Sequence, residues 1–132
     1  MSANKFPNDS SPSGGADTTA IDPHVLDELK ALGGEDDPGL LLELIDLFLA
    51  DAPRCLEEMD RGLATGDVKA LERAAHKLKS SSANLGARTL SSLCLRMEES
   101  ARTNQIDSLP RLLRESQQHW PRVVAALRAA RS

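Results

Sequence analysis

Residues 67–87 read DVKALERAAHKLKSSSANLGA, and this stretch carries the clearest helical pattern of the chain. At roughly 100° per residue, its apolar side chains fall on one side of a helix. Asp67 can cap the first turn, and Gly86 can end the last one. We therefore predict an amphipathic helix over about residues 67–85, packed against other helices. Its predicted core face holds Val68, Leu71, Ala74, Ala75, Leu78, Ser82 and Leu85.

On the same helical wheel, His76 lies roughly 140° from the centre of the core face and is predicted to face solvent. Arg73 and Lys79 lie three residues to either side, where they are its neighbours on the helix surface. Positive charge beside an imidazole favours its neutral form, whose free lone pair makes it a nucleophile. Ser80 and Ala83 are small and leave room for a partner surface. The spacing thus indicates an exposed, accessible histidine beside two cations.

Geometry alone leaves another interpretation of His76 open. A histidine beside arginine and lysine on an amphipathic helix is most often part of an ordinary solvated face. Glu72, four residues earlier, could also hydrogen-bond the ring. Periodicity therefore predicts that His76 is exposed, but it does not predict a function.

The rest of the chain shows helical patterns and no strand pattern. Residues 1–20 are rich in Ser, Gly, Asp, Asn and Pro and are predicted to be a disordered tail or linker, with order from Ile21. Pro53 and Pro121 are each predicted to kink or split their helix. We predict an all-α fold over residues 21–132, an antiparallel four-helix bundle with a short extra N-terminal helix. The helices are predicted from Asp22-Pro23 to Gly33-Gly34, from Asp36, Asp37 and Pro38 to about Thr65, over 67–85, over about 88–103, and from about Ser108 onward.

Composition limits the function classes. Aromatic residues make up 2% of the chain, so leucine and alanine must build the core, which favours helices. A net charge of −4 argues against nucleic acid as a partner. No run of about 18 apolar residues and no signal peptide occurs, so we expect no membrane span and a cytoplasmic location. Cys55 and Cys94 lack zinc-site spacing and are expected to pack as apolar residues, with no metal. Leu90, Leu93, Leu95 and Met97 are predicted to be available to the core.

The segment LLLELIDLFLADAPRCLEEMDRGLATGD, residues 40–67, is apolar around much of its circumference. Such a helix is either deeply buried or offers an apolar patch to a partner. Both interpretations stay open for its first half, from Leu40 to Phe48.

The string AHKLKSSSANLGA, residues 75–87, resembles the signature of histidine-phosphotransfer (HPt) domains, roughly A-H-x-L-K-G-S-[SA]-x-x-[LM]-G. The resemblance extends to the preceding helix and turn, including Phe48, Pro53 and Asp67, and covers about residues 21–130. It implies that His76 accepts a phosphoryl group from an aspartyl phosphate on one receiver domain and passes it to the aspartate of another. Lys79 matches the lysine that lies beside the phosphate, while Asn84 and Gly86 match structural positions.

The resemblance also implies partners and cofactors. The partners would be receiver domains of a hybrid sensor kinase or a response regulator, docked on Leu40, Phe48, Arg73 and Ala83. The chain would be a monomeric covalent intermediate with no kinase activity of its own. It would need no cofactor, because the Mg²⁺ for transfer belongs to the receiver.

One position departs from the family pattern, and three alternatives stay open. Ser80 stands where the family usually has glycine, so its hydroxyl could hydrogen-bond the phosphoryl oxygens while adding little bulk. The first alternative is a docking module of the same fold whose His76 is never phosphorylated. The second is a small hydrolase or metal-dependent bundle enzyme, which no inward carboxylate–histidine motif supports. The third is a phosphotransfer domain that belongs to a longer kinase.

Overall fold

The computed structural model describes residues 20–33 and 39–131, and within these ranges every long element is an α-helix. The all-α prediction is confirmed. A single turn of 3-10 helix, Ile106–Ser108, leads into the last helix. The helices are α1 (Pro23–Gly33), α2 (Gly39–Thr65), α3 (Val68–Asn84), α4 (Arg88–Arg102) and α5 (Leu109–Arg131).

Helices α2 to α5 form the four-helix bundle. Helix α3 packs between α2 and α4, α5 packs on both α4 and α2, and α1 lies against α2. Short turns connect α2 to α3 and α3 to α4, which requires those neighbours to run antiparallel. The predicted bundle with a short extra N-terminal helix is therefore the observed arrangement.

Local capping sets the ends of α3, as predicted. The Asp67 carboxylate accepts a hydrogen bond from the backbone N–H of Ala70, at 3.1 Å. At the other end Gly86 has φ of +80°, a conformation that a side chain would strain. The Gly86 carbonyl also accepts from the backbone N–H of Asp22, and Asp22 pairs with Arg88 at 2.8 Å. The turn after α3 is thereby joined to the residues that precede α1.

Neither proline splits its helix. Pro53 lies inside α2 and Pro121 inside α5, and both helices continue through them. Each proline removes one backbone donor. Buried residues on both sides hold the helix in place, among them Ala52 and Cys55 around Pro53, so one missing hydrogen bond does not split it.

The core is built mainly from leucine and alanine. Leu90, Leu93 and Met97 are buried as predicted, but Leu95 is exposed, because no described helix covers that side of α4. Cys55 and Cys94 are free and buried, as expected. Burial, with smaller contributions from nearby Cys55 and Glu98, raises the pKa of the Cys94 thiol to about 12, so it stays unreactive.

Some predictions concern residues outside the described ranges. The predicted tail covers residues 1–20, of which 1–19 lie outside the described ranges, and the predicted helix start at Asp36, Asp37 and Pro38 falls in the interval between α1 and α2. Ala20, the last residue of the predicted tail, is buried against the bundle, as is Ile21. Within the described ranges, no helix is long and apolar enough to cross a membrane.

Candidate functional site

Helix α3 carries His76 at its middle and turns it to solvent. Leu71 and Leu78, on the opposite side, are completely buried, whereas 61% of the His76 side chain is exposed. The prediction of an exposed histidine is confirmed. The ring is therefore accessible to another protein without any opening of the bundle.

A carboxylate on the neighbouring helix fixes the His76 ring. Glu98 of α4 accepts at Oε2 from Nδ1 of His76 and at Oε1 from Nζ of Lys79, both at 2.8 Å. Glu98 is only 6% exposed, so these two bonds satisfy a charge that lies largely away from water. The three side chains form one unit, which we call the Glu98 triad: His76, Lys79 and Glu98.

The ionisation of Glu98 decides which nitrogen of His76 is free. Burial alone would raise the pKa of the Glu98 carboxyl. The hydrogen bonds and charges of Lys79 and His76 outweigh it and hold that pKa below its usual 4.5. An ionised carboxylate can only accept, so the hydrogen atom must lie on Nδ1 of the imidazole. In the neutral ring the lone pair is then on Nε2, and the ring is oriented as a nucleophile.

Sequence reasoning did not find Glu98. The helical spacing of α3 offered Glu72, four residues before His76, as a hydrogen-bond partner for the ring. Glu72 instead pairs loosely with Lys69, at 3.8 Å. A signal was available on α4. Glu98 follows Cys94 by four residues and therefore occupies the buried face of that helix, where an ionisable residue is unusual.

The other predicted site residues surround the triad at different distances. Ser80 is exposed one turn beyond His76. Ala83 and Lys79 line a shallow pocket between α3 and α4. Arg73 is exposed on the α2 side of His76, in a cleft shared with Arg61. Of the two cations that the sequence predicts beside the ring, Lys79 belongs to the Glu98 triad and Arg73 does not.

On its other flank, α3 borders an apolar groove of about 710 Å³ between α1, α2 and the end of α3. Its apolar lining includes Leu29, Leu44, Leu47, Phe48 and Leu85. Leu47 is exposed in this groove. Beside it, Lys77 of α3 and Asp51 of α2 form an ion pair of 3.3 Å. We call this surface the α2 groove.

The prediction that Phe48 forms a docking surface needs correction. Phe48 is 4% exposed and packs edge-on against Trp120, with ring centroids 5.5 Å apart. Its helical position points it into the bundle, so only its margin reaches the α2 groove. Leu40 is half-buried, and Leu47 is the leucine of this segment that is most open to a partner.

No group of three or more metal-ligating side chains occurs among the residues that the structure describes. The site consists of one nucleophilic imidazole, one buried carboxylate and one lysine. The carboxylate can hold the imidazole ring in place and fix its tautomer, and the lysine places a positive charge beside the ring.

Comparison with known proteins places this chain in a family. The model of the Hpt domain matches residues 43–130. The solved histidine-containing phosphotransfer protein B of Pseudomonas aeruginosa PAO1 is 30% identical, with a TM-score of 0.77 over 85% of this chain and 94% of that one. Histidine-containing phosphotransfer protein 2 of Arabidopsis thaliana is 29% identical over 91 residues, covering 67% of this chain and 58% of that protein.

A fungal protein is similar as well. The phosphorelay intermediate protein YPD1 of Candida albicans is 29% identical over 82 residues, which cover 62% of this chain and 44% of that protein. The chain thus spans about half the length of these two curated relatives. Since the family model covers about two thirds of its residues and the solved relative shares its fold nearly end to end, the chain belongs to the Hpt domain family.

Proposed function

We propose that the chain is a phosphorelay intermediate, in which Nε2 of His76 takes a phosphoryl group from a receiver-domain aspartate and gives it to the aspartate of a response regulator. The observation that carries this proposal is the Glu98 triad. An imidazole that is 61% exposed, with Nδ1 bonded to a buried ionised carboxylate, is a nucleophile with a fixed orientation.

The transfer step conserves atoms and charge. The lone pair of Nε2 forms an N–P bond while the P–O bond to the receiver aspartate breaks, and that carboxylate leaves with the bonding electrons. The hydrogen on Nδ1 stays in place, so the phosphorylated ring becomes positively charged. Glu98, 2.8 Å from Nδ1, offsets that charge. The reverse sequence delivers the phosphoryl group to the second receiver.

Lys79 and Ser80 support the same step from the ring's own helix. The ammonium of Lys79 is held beside the ring by Glu98 and brings positive charge toward the phosphoryl oxygens. Ser80 is exposed one turn away and offers a hydroxyl donor with little steric hindrance. The Mg²⁺ expected in the reaction would be held by the receiver, where it would neutralise the aspartyl phosphate.

The α2 groove is our proposed docking surface for the receiver. Leu47 is exposed and the groove is mainly apolar, features that favour burial against another protein. Partner identity, the monomeric state, a cytoplasmic location and the absence of kinase activity remain predictions. The other candidate, a docking module without phosphorylation, would use this groove and leave His76 unmodified.

A transfer assay separates these two functions. The full chain is mixed with a receiver domain carrying radioactive aspartyl phosphate and Mg²⁺, and the label that reaches it is tested for acid lability and base stability. We expect wild type to take such label, and His76→Gln to take none while keeping its helical circular dichroism spectrum. Equal labelling of His76→Gln would contradict the proposal. Binding without any labelling of wild type would favour the docking module.

A further inference from the structure

A second cation lies against the Glu98 triad from α4. Arg102 places Nη1 3.7 Å from Oε2 of Glu98, the same oxygen that accepts from His76. The guanidinium is therefore within about 6.5 Å of Nδ1, the sum of those two distances. Side chains on a helix lean toward its N-terminus, which directs Arg102 back toward Glu98, one turn earlier.

Arg102 and Lys79 are held very differently. Lys79 donates to Glu98 at 2.8 Å and is 25% exposed, so it is committed to the carboxylate. Arg102 is 53% exposed, and its 3.7 Å contact is too long for a hydrogen bond. An ion pair of that length, whose arginine is half-exposed to water, contributes little to stability. Arg102 can therefore leave Glu98 at small cost, whereas Lys79 would have to break a short bond.

From this difference we propose that Arg102 is a phosphate-binding residue, which swings from Glu98 to the phosphoryl group once it is attached to Nε2 of His76. The inference rests on the proposed function and adds to it a residue outside the α3 motif. A guanidinium can donate two parallel hydrogen bonds to phosphoryl oxygens, which an ammonium cannot do. Lys79 then keeps Glu98 in position while Arg102 binds the new dianion.

The experiment uses the full chain and three variants. Arg102→Ala removes the guanidinium, and Arg102→Lys keeps the charge without its fork of donors. Arg96→Ala is the matched control, because Arg96 is exposed on the same helix but two residues before Glu98, which turns it about 200° away. Each protein is phosphorylated by a labelled receiver domain with Mg²⁺, and separately by phosphoramidate, a small donor that needs no docking.

We expect Arg102→Ala to accept the phosphoryl group about fivefold more slowly from the receiver, at the low end for an exposed charged hydrogen bond. The phosphorus NMR titration of its phosphohistidine should shift upward by about half a pH unit, because the dianion has lost a nearby cation. Arg102→Lys should recover part of both effects, and Arg96→Ala should match wild type. The titration reports directly on the phosphoryl group, and a purely structural role would leave it unmoved.

Two results would overturn the inference, and they differ from failure of the proposed function. If Arg102→Ala titrates like Arg96→Ala, Arg102 does not bind the phosphoryl group, even if the rate or the melting temperature falls. If both variants also transfer at the wild-type rate, the same conclusion holds, and phosphorylated His76 remains intact as the proposed function. If wild type takes no label from either donor, the proposed function fails and the role of Arg102 fails with it.

Discussion

The two flanks of α3 differ in chemistry although the same helix forms both. Toward α4, the buried carboxylate of Glu98 binds His76 and Lys79 at 2.8 Å. Toward α2, Lys77 and Asp51 form a longer, solvent-exposed pair beside an apolar groove. Lys77 and Lys79 are two residues apart, yet about 200° of helical rotation gives them unrelated surroundings. We propose that the α4 flank sets the reactivity of the ring and that the α2 flank contacts a partner.

The largest expected effect comes from neutralising the carboxylate on the α4 flank, with the carboxylate on the α2 flank as its control. Glu98→Gln keeps the shape of the side chain but removes the charge that fixes the tautomer of His76. We expect the transfer rate at saturating receiver to fall by about 10- to 100-fold, the usual cost of losing the group that orients a functional histidine. Asp51→Asn is the control and should stay within about twofold, because an exposed pair contributes little. Equal losses in rapid-quench transfer assays would remove the distinction between the flanks.

The α2 flank should affect affinity without affecting the chemical step. Leu47→Asp puts a charge into the α2 groove at an exposed position, so the Kd for a receiver should rise about tenfold, the value of one well-buried leucine. Isothermal titration with an unphosphorylated receiver measures this, and the melting temperature should not change. Phe48→Ala provides the contrast, since its buried ring predicts a loss of about 3–5 kcal/mol in the free energy of unfolding. Weaker binding by Phe48→Ala without destabilisation would reverse these assignments.

The two lysines give a smaller but closely matched test. Lys79→Ala removes a donor from Glu98 and a cation from beside the ring, and we expect the transfer rate to fall about fivefold. Lys77→Ala removes only the exposed pair with Asp51, so its rate should stay close to that of wild type. Single-turnover kinetics with one receiver compares them. A larger loss from Lys77→Ala would show that the cation needed for transfer lies on the α2 flank.

Acid should lower the free energy of unfolding by protonating Glu98 on the α4 flank, and we expect this to be the smallest of these effects. Its folded-state pKa is lowered, so its stabilising contribution is complete above the unfolded value of 4.5 and is lost as pH falls through the lower folded value. In denaturant titrations from pH about 6 to about 3, wild type should lose more unfolding free energy than Glu98→Gln.

The exposed carboxyl of Asp46 supplies the control for that pH series. Its pKa is also lowered, chiefly by the hydrogen bond from Arg131. Asp46→Asn removes this second acid-sensitive carboxyl. Its free energy of unfolding should still fall with pH by the amount that Glu98 contributes. Identical pH profiles for wild type and Glu98→Gln would show that Glu98 is not held ionised by the triad.

The sequence predicted what depends on one helix at a time. Asp67 and Gly86 mark the ends of α3 because capping involves residues only a few positions apart. The exposure of His76 followed from the same periodicity. Which side chain meets the ring depends on how α4 packs, so Glu98, 22 residues away, could not be reached from α3 alone.

The wrong predictions also concern contacts between helices, which the periodicity of one helix does not determine. Leu95 is apolar, but an apolar side chain is buried only where a neighbouring helix covers it, and Leu95 is exposed. Pro53 weakens a helix locally, while packing on both sides of it decides that the helix continues. The apolar pattern left both burial and exposure open for Phe48, and the family resemblance implied docking. The contact with Trp120 places Phe48 in the core.

The central claim, a phosphoryl group on Nε2 of His76 with Nδ1 bonded to Glu98, has a direct test. Nitrogen-15-labelled protein is phosphorylated by a receiver domain, and phosphorus–nitrogen coupling identifies the nitrogen atom that carries phosphorus. We expect a single coupled nitrogen, Nε2 of His76, with the proton signal of Nδ1 retained. Coupling to Nδ1 of His76, or to His24 or His119, would contradict it.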